Sequence, residues 1–195
     1  MAIAIDGDGT ITGISVGGLP DGIVDTDMLA ADAVTDAKIG SKTFTSYAII
    51  CDQKANDTDA GAFTNNAWRT RDLNTEIADP DGIVSISSNQ FTLQAGSYLI
   101  EARAPAYAVD THQTRLYNAT DSSVVQYGSN AYAREASGDL GSTESQVFAR
   151  VTITASKAFE IQHRAQTTRA TNGFGVASNF SNEVIFTTVK IYKEA

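Results

Sequence analysis

The first 43 residues contain no aromatic side chain, and all sixteen Phe, Tyr and Trp residues lie at or beyond Phe44. Aromatic side chains carry much of the apolar area that a core buries, so a segment without them does not build a core of its own. The chain therefore divides into a lead, residues 1–43, and a body, residues 44–195. The body is long enough for one compact domain. The lead holds Ile3, Ile5, Ile11, Ile14, Val16 and Leu19, which it cannot enclose alone. These six are expected to make anchor or interchain contacts, against neighbouring chains or a docking surface.

Charge follows the same division. The net charge is −9, and residues 1–60 hold ten Asp against three Lys, whereas residues 101–195 balance nine acids with nine bases. Nucleic-acid binding needs clustered Lys and Arg on phosphates, so no nucleic-acid partner is expected. No run approaches the roughly 18 apolar residues of a membrane span, and the N-terminus lacks the basic start and apolar block of a secretion signal. No membrane partner is expected.

Cofactors and metals are expected to be absent. Cys51 is the single cysteine, so no disulfide forms within the chain. Beside Ile49 and Ile50 it reads as a small core hydrophobe rather than a reactive thiol. With two His and one Cys, the usual zinc site is not expected. Asp6-Gly7-Asp8-Gly9 hints at a calcium loop, but Ile11 and Gly17 stand where that loop needs glycine and glutamate, so it reads as a tight turn. His112 and His163 fall in strand patterns with no nucleophile motif nearby, and Glu101, Asp110 and Glu160 have no spacing that pairs them. Catalytic residues are expected to be absent too.

Residues 3–19 read as two short extended pieces around the Gly-Asp turn, and residues 25–39 as a short helix ending at Gly40. From Thr45 onward strand patterns dominate: 45–51, 68–73, 83–87, 91–93, 97–103, 112–119, 122–128, 145–154, 158–166 and 183–192. Turn signals such as Asp81-Gly82, Gly128-Ser129-Asn130 and Asn172-Gly173 separate many of them. Val147, Ala149, Val151 and Ile153 share one face of their strand, with Gln146, Arg150 and Thr152 on the other. In the last strand, Ile185, Val189 and Ile191 are placed on one side and Val184 and Phe186 on the other. A strand apolar on both faces implies a second buried contact, so Val184 and Phe186, and with them Tyr98, are assigned to a subunit interface or the core. Many short strands without helices in the body predict an all-β fold, a β-sandwich or jelly roll.

Two stretches carry a resemblance. The lead, from Ala4-Ile-Asp-Gly-Asp-Gly-Thr to Gly22 and then Met28 to Ile39, resembles the N-terminal regions of bacteriophage fibre and virion-surface proteins. The body resembles the phage version of the trimeric jelly roll of tumour-necrosis-factor-like and complement-type globular heads. That likeness rests on Trp68 to Asn74, Phe91 to Ile100, Thr168 to Gly175 and Val189 to Lys193. It implies a homotrimer without catalytic residues, in which three leads bury one another's apolar groups.

The expectation that follows is a non-enzymatic phage structural protein at the virion surface, assembled in the bacterial host cytoplasm. Fully extended, 43 residues reach at most about 150 Å at ~3.5 Å each, and no heptads or repeats build a shaft. A knob held close to the shell therefore fits a cement or head-decoration protein, with the major capsid protein as partner. The alternative is a short tail fibre or adhesin, held by a tail protein and recognising a host-surface glycan. Tyr107, Tyr127, Tyr132 and Phe180 are its candidate sugar-stacking groups.

Overall fold

A computed structural model describes residues 4–5, 11–12, 43–180 and 182–195. The chain separates into two compact units, Met1–Ser41 and Lys42–Ala195. In the first, strands β1 (Ala4–Ile5) and β2 (Ile11–Thr12) pair antiparallel, Ala4 opposite Thr12 and Ile5 opposite Ile11. The two extended pieces read from the sequence are thus a strand pair. The turn between them, the 25–39 helix, and Ile3, Ile14, Val16 and Leu19 lie outside the described residues.

The second unit is all strand. Its elements are β3 (Phe44–Ala55), β4 (Arg69–Thr70), β5 (Thr75–Ala78), β6 (Val84–Ser87), β7 (Gln90–Leu93), β8 (Gly96–Tyr107) and β9 (Asp110–Asn118). They continue with β10 (Ser123–Ala133), β11 (Glu135–Ala136), β12 (Asp139–Leu140), β13 (Ser142–Ile153), β14 (Lys157–Ala165) and β15 (Glu183–Glu194). One sheet has the order β13-β8-β15-β3-β5, and the other β10-β9-β14-β7-β6 with β4 beside β14. All pairs are antiparallel, and β11 and β12 form a small separate hairpin. From β8 onward the chain passes repeatedly between the sheets: β8 to β9, β10 to β13, β13 to β14 and β14 to β15. That crossing pattern defines a jelly-roll sandwich.

Two apolar clusters fill the sandwich. The larger gathers Ile50, Tyr98, Ile100, Val147, Val189 and Ile191 from the first sheet against Phe91, Leu93, Leu116, Phe159 and Ile161 from the second. The smaller, towards the other end of the strands, contains Phe63, Val109, Ala133, Phe174, Val184 and Phe186. Tyr98, Val184 and Phe186 are thus buried within one chain, and Tyr98 donates its hydroxyl hydrogen bond to Gln94 O at 3.0 Å.

The face assignment in β15 needs correction. The register slips between Ile185 and Thr188, placing one extra residue in this strand relative to β3. A bulge of this kind reverses the alternation. Phe186 and Thr187 are consecutive and both buried, while Ile185 is 48% exposed and parts company with Val189 and Ile191. Further differences concern length. Strand β3 runs to Ala55 rather than ending at Cys51, and β8 runs through Pro105 to Tyr107. Proline is tolerated there because β15 pairs with β8 only as far as Arg103.

Glycines permit the close approach near the bulge. Gly175 has φ +147°, and a Cβ on it would meet Phe186 Cδ1 at 2.5 Å. On Gly173 a Cβ would meet Phe63 Cβ at 2.5 Å. The Gly-Phe-Gly segment is a packing device, as its lack of a following Lys-Ser/Thr suggests. The substitution Phe186→Asp removes a buried ring and leaves a carboxylate in its place. It is expected to cost at least about 3–5 kcal/mol, the range for deleting a core Phe. Urea unfolding monitored by circular dichroism checks this; wild-type stability would show that the site tolerates a charge.

Candidate functional site

Between the two apolar clusters, inward-facing positions turn polar at one level of the sandwich. Strand β3 supplies Asp52 after Ala48 and Ile50. β13 supplies Ser145 before Val147, β14 supplies His163 after Ile161, and β15 supplies Thr187 before Val189. Strand β9 contributes His112 and Thr114, and Arg71 enters just beyond β4. All of these are buried. Deep polar groups persist only where they are hydrogen-bonded or paired.

Arg71 is 0% exposed. Its Nε donates to Thr187 Oγ1 at 2.8 Å, Nη2 to Phe174 O at 2.8 Å and Nη1 to Pro105 O at 3.2 Å. The guanidinium also lies 4.1 Å from the Phe174 ring centroid, within cation–π range. It thus ties together the β15 bulge, the proline-bearing end of β8 and the glycine-flanked crossing. Burial pulls its pKa down to about 9, against the attraction of Asp52 and Asp72, so it stays charged at neutral pH. Lys54 Nζ stands 3.0 Å from Asp52 Oδ1 and 2.6 Å from Asp72 Oδ2. Burial still leaves the Asp52 carboxyl with a raised pKa.

The histidines form a second part of the layer. His112 Nδ1 and His163 Nε2 are 2.9 Å apart, and His112 Nε2 is 2.8 Å from Thr143 Oγ1. Burial first, and then the Arg71 charge, push His112 down to about pKa 4 and His163 well below its ordinary value. Both are neutral imidazoles. His163 Nδ1 has no hydrogen-bond partner among the described residues. The tautomer that strands a lone pair there, rather than an N–H, is favoured because an orphaned acceptor costs less. His163 then donates to His112, and His112 to Thr143. Nearby, Ser145 Oγ accepts from Thr114 N at 2.9 Å and donates to Ser129 O at 2.6 Å. The histidines are structural here, as the strand pattern suggests, and Cys51 is likewise buried with its thiol pKa raised by burial.

The outward face of the first sheet has a different character. Tyr47 and Ile49 alternate with buried Ala48 and Ile50, Leu99 with Tyr98 and Ile100, Phe148 with Val147 and Ala149, and Tyr192 follows Ile191. Registration makes Tyr47, Tyr192 and Leu99 one cross-strand row, and Ile49, Lys190, Glu101 and Phe148 the next. Phe44 packs on Tyr192 with ring centroids 5.3 Å apart. Tyr47 is 45% exposed and Phe148 58%. Few charges interrupt the patch: Lys190 pairs with Glu101 at 3.4 Å, and Arg150 with Glu194 at 2.6 Å. Phe148 hides in the sequence among Gln146, Arg150 and Thr152 on an otherwise polar face.

The second sheet carries a surface cleft of about 380 Å³. Asn66 and Trp68 form one wall, and Thr111, His112, Gln113, Asn130, Arg164, Ala165 and Gln166 contribute the rest. Of the proposed sugar-stacking residues, Tyr127 stands beside Trp68 with ring centroids 5.9 Å apart. Tyr132 engages Asp110, Tyr107 lies under Arg169, and Phe180 projects with 94% exposure from the segment before β15. These four are not gathered into one site. In the sequence Trp68, the chain's single Trp, reads as part of a strand and gives no sign of a cleft. No group of three or more potential metal ligands occurs among the described residues.

No protein family model matches the chain, and no curated protein matches it. Among solved structures it is similar to murine APRIL at pH 8.5, with 8% identity and a TM-score of 0.49, over 76% of this chain and 98% of that one. It is similar to the globular domain of zebrafish complement 1qA, with 10% identity and a TM-score of 0.46, over 75% and 95%. It is also similar to Eiger TNF from S. frugiperda, with 13% identity and a TM-score of 0.49, over 79% and 94%. The strand order and register, rather than these likenesses, define the jelly roll.

The neutral histidines make stability depend on pH. In the unfolded chain they take up protons near pH 6.5, whereas folded His112 resists to about 4 and His163 further. The unfolded state binds more protons in that interval, so stability is complete above about pH 6.5 and falls on acidification. Each histidine contributes a slope of up to about 1.4 kcal/mol per pH unit. The raised pKa of Asp52 opposes part of this, because its folded carboxyl takes up a proton more readily. Urea midpoints are expected to fall from pH 7.5 to pH 5, and His112→Gln to flatten that dependence. An unchanged slope in the variant would exclude His112 as its source.

Proposed function

We propose that the chain is a non-enzymatic, homotrimeric knob at the surface of a bacteriophage virion. Residues 1–43 attach it to the capsid, where it acts as a cement or head-decoration protein. The observation that carries self-association is the aromatic outer face of the first sheet. A face on which Tyr47, Tyr192, Leu99, Ile49 and Phe44 cluster, with Phe148 beyond the Lys190–Glu101 pair, marks an interaction surface on a folded domain, and aromatic residues suit its centre. Three copies around one axis cover this face and bring three leads together. Ile5 and Ile11, opposite one another in the β1–β2 pair, and Ile3, Ile14, Val16 and Leu19 then gain apolar neighbours from other chains. Association stabilises such a segment by mass action.

The virion assignment rests on the sequence of the lead, and the capsid position on residues 1–43 carrying no heptads or repeats of the kind that build a shaft. In that position the lead bridges neighbouring subunits of the major capsid protein and resists their separation by internal pressure. Burial of both histidines in the structural layer supports a role without catalysis. A second reading keeps the knob but places it on the tail as a fibre that binds a host-surface saccharide. The Trp68 cleft favours that reading, since an indole beside side-chain amides suits a polyhydroxylated ligand.

Light scattering of the purified protein is expected to give the mass of three chains. Tyr47→Asp combined with Phe148→Asp should release monomers with an unchanged far-ultraviolet spectrum; a wild-type chain that is monomeric at micromolar concentration would remove the basis of the proposal. Deleting residues 1–20 is expected to leave the body folded but abolish attachment to particles, read by gold-labelled antibody against the knob. Label over the whole head supports a capsid position, whereas label confined to the tail supports the fibre. Continued decoration by the truncated protein would refute the lead as anchor.

A further inference from the structure

The cleft on the second sheet is built more completely than a chance surface depression. Its outer wall is the loop before β4, and several bonds hold that loop. Asn65 N donates to Thr168 Oγ1 at 3.0 Å, Asn65 Nδ2 donates to Gln166 O at 3.1 Å, and Asn66 N donates to Ala165 O at 3.4 Å. Asn66 takes φ +61°, a left-handed conformation that Asn tolerates better than most residues and that turns the loop over the sheet. Trp68 is fixed in turn by Arg115, whose guanidinium lies 4.1 Å from the indole and whose Nε donates to Gln162 Oε1 at 2.7 Å. Side chains held in this way bind without first losing much freedom.

The lining is chemically selective. Asn66, Gln113, Asn130 and Gln166 are neutral amides, each offering a donor and an acceptor, which is what a ligand rich in hydroxyls requires. Gln113 Nε2 is committed to Gly128 O at 2.9 Å, so its Oε1 is the end left for a ligand. Arg164 is exposed, and no carboxylate pairs with it among the described residues. Among the described residues no Asp or Glu lines the cleft, although the chain carries a net charge of −9. An unpaired guanidinium presents a planar fork that matches a carboxylate. The volume of about 380 Å³ falls within the range of small-ligand sites. Nucleotide phosphates call for several cations or a cradle of backbone N–H groups. Among the described residues the cleft is lined by one cation, several amides, a threonine, a neutral histidine and an indole, and that set fits a sugar better.

We infer that the cleft between the Asn66–Trp68 loop and strands β9, β10 and β14 binds a saccharide unit bearing a carboxylate, such as a uronic or sialic acid. Trp68 and the amides contact the ring and its hydroxyls, and Arg164 holds the acid group. The inference refines the saccharide-binding reading above. It is independent of self-association, because the aromatic face belongs to the other sheet.

Trp68 is the only Trp in the chain, so its fluorescence reports on this cleft alone. The full-length protein is titrated at constant ionic strength with D-glucuronic acid, N-acetylneuraminic acid, D-glucose and sodium phosphate. Saturation-transfer NMR on each probe detects binding that leaves the fluorescence unchanged. A saturable response to one of the two acidic sugars is expected, with glucose at least about tenfold weaker and phosphate inactive. Arg164→Gln is expected to weaken the acidic sugar by about tenfold or more and to leave the response to glucose unchanged. Undiminished binding in that variant, or an equal response to phosphate, would overturn the inference. Glucose binding as well as the acids would overturn the acidic class while leaving the saccharide reading in place. Binding of no sugar by either readout would overturn both.

Discussion

The body depends on a buried positive charge. Arg71 reaches the middle of the sandwich from a short edge segment, and its donors go to a threonine side chain and two main-chain carbonyls. Each acceptor sits where regular pairing has ended. Thr187 is in the bulge of β15, Pro105 is past the last residue that β15 pairs with on β8, and Phe174 lies on the glycine-flanked crossing. One guanidinium, rigid and permanently charged near neutral pH, replaces the ladder bonds that these irregularities forgo. Breaking such an arrangement leaves several buried groups unsatisfied together, which is where large destabilisations arise.

Burial, reinforced by that charge, sets the state of its neighbours. Beside a cation that cannot reach solvent, two buried histidines remain neutral, and the layer around them closes through threonine and serine hydroxyls. The polar level separates two apolar clusters that would otherwise run together. Both lie between the same two sheets, whose outer faces differ. One sheet presents tyrosines, leucine and phenylalanine in register, suited to contact with copies of itself. The other presents arginine and amides around an indole, suited to a hydrated ligand. A jelly roll can separate these tasks because successive side chains of a strand face opposite ways. The core then constrains neither exterior.

Most of the strand plan was legible along the chain. The 145–154 run alternates cleanly in sequence and in burial, the 158–166 run alternates in sequence although Glu160 and Gln162 are buried too, and turns at Asp81-Gly82 and Asn172-Gly173 announce themselves by composition. The break at Phe44 falls near the division into two compact units. Less legible were features that depend on a partner strand. Pro105 argues against a strand unless one knows that its neighbour has already turned away. By spacing alone Ile185 matches Val189 and Ile191, and only the bulge separates them. Phe148 sits among polar residues and gives no local sign that it belongs to an aromatic face.

Composition, alternation and turn chemistry by themselves determined that the body is all-β, where most of its strands run and which alternating residues are buried, because these follow from periods of two residues and from local backbone preference. Tertiary structure alone decided that Asp52, Arg71, His112, His163 and Thr187 meet at one level, that Tyr47, Tyr192, Leu99 and Phe148 form one face, and that Trp68 and Arg164 line one cleft. Those groupings join residues far apart in the chain. They arise from strand order and register, which pairing across the whole sandwich sets and no local pattern encodes.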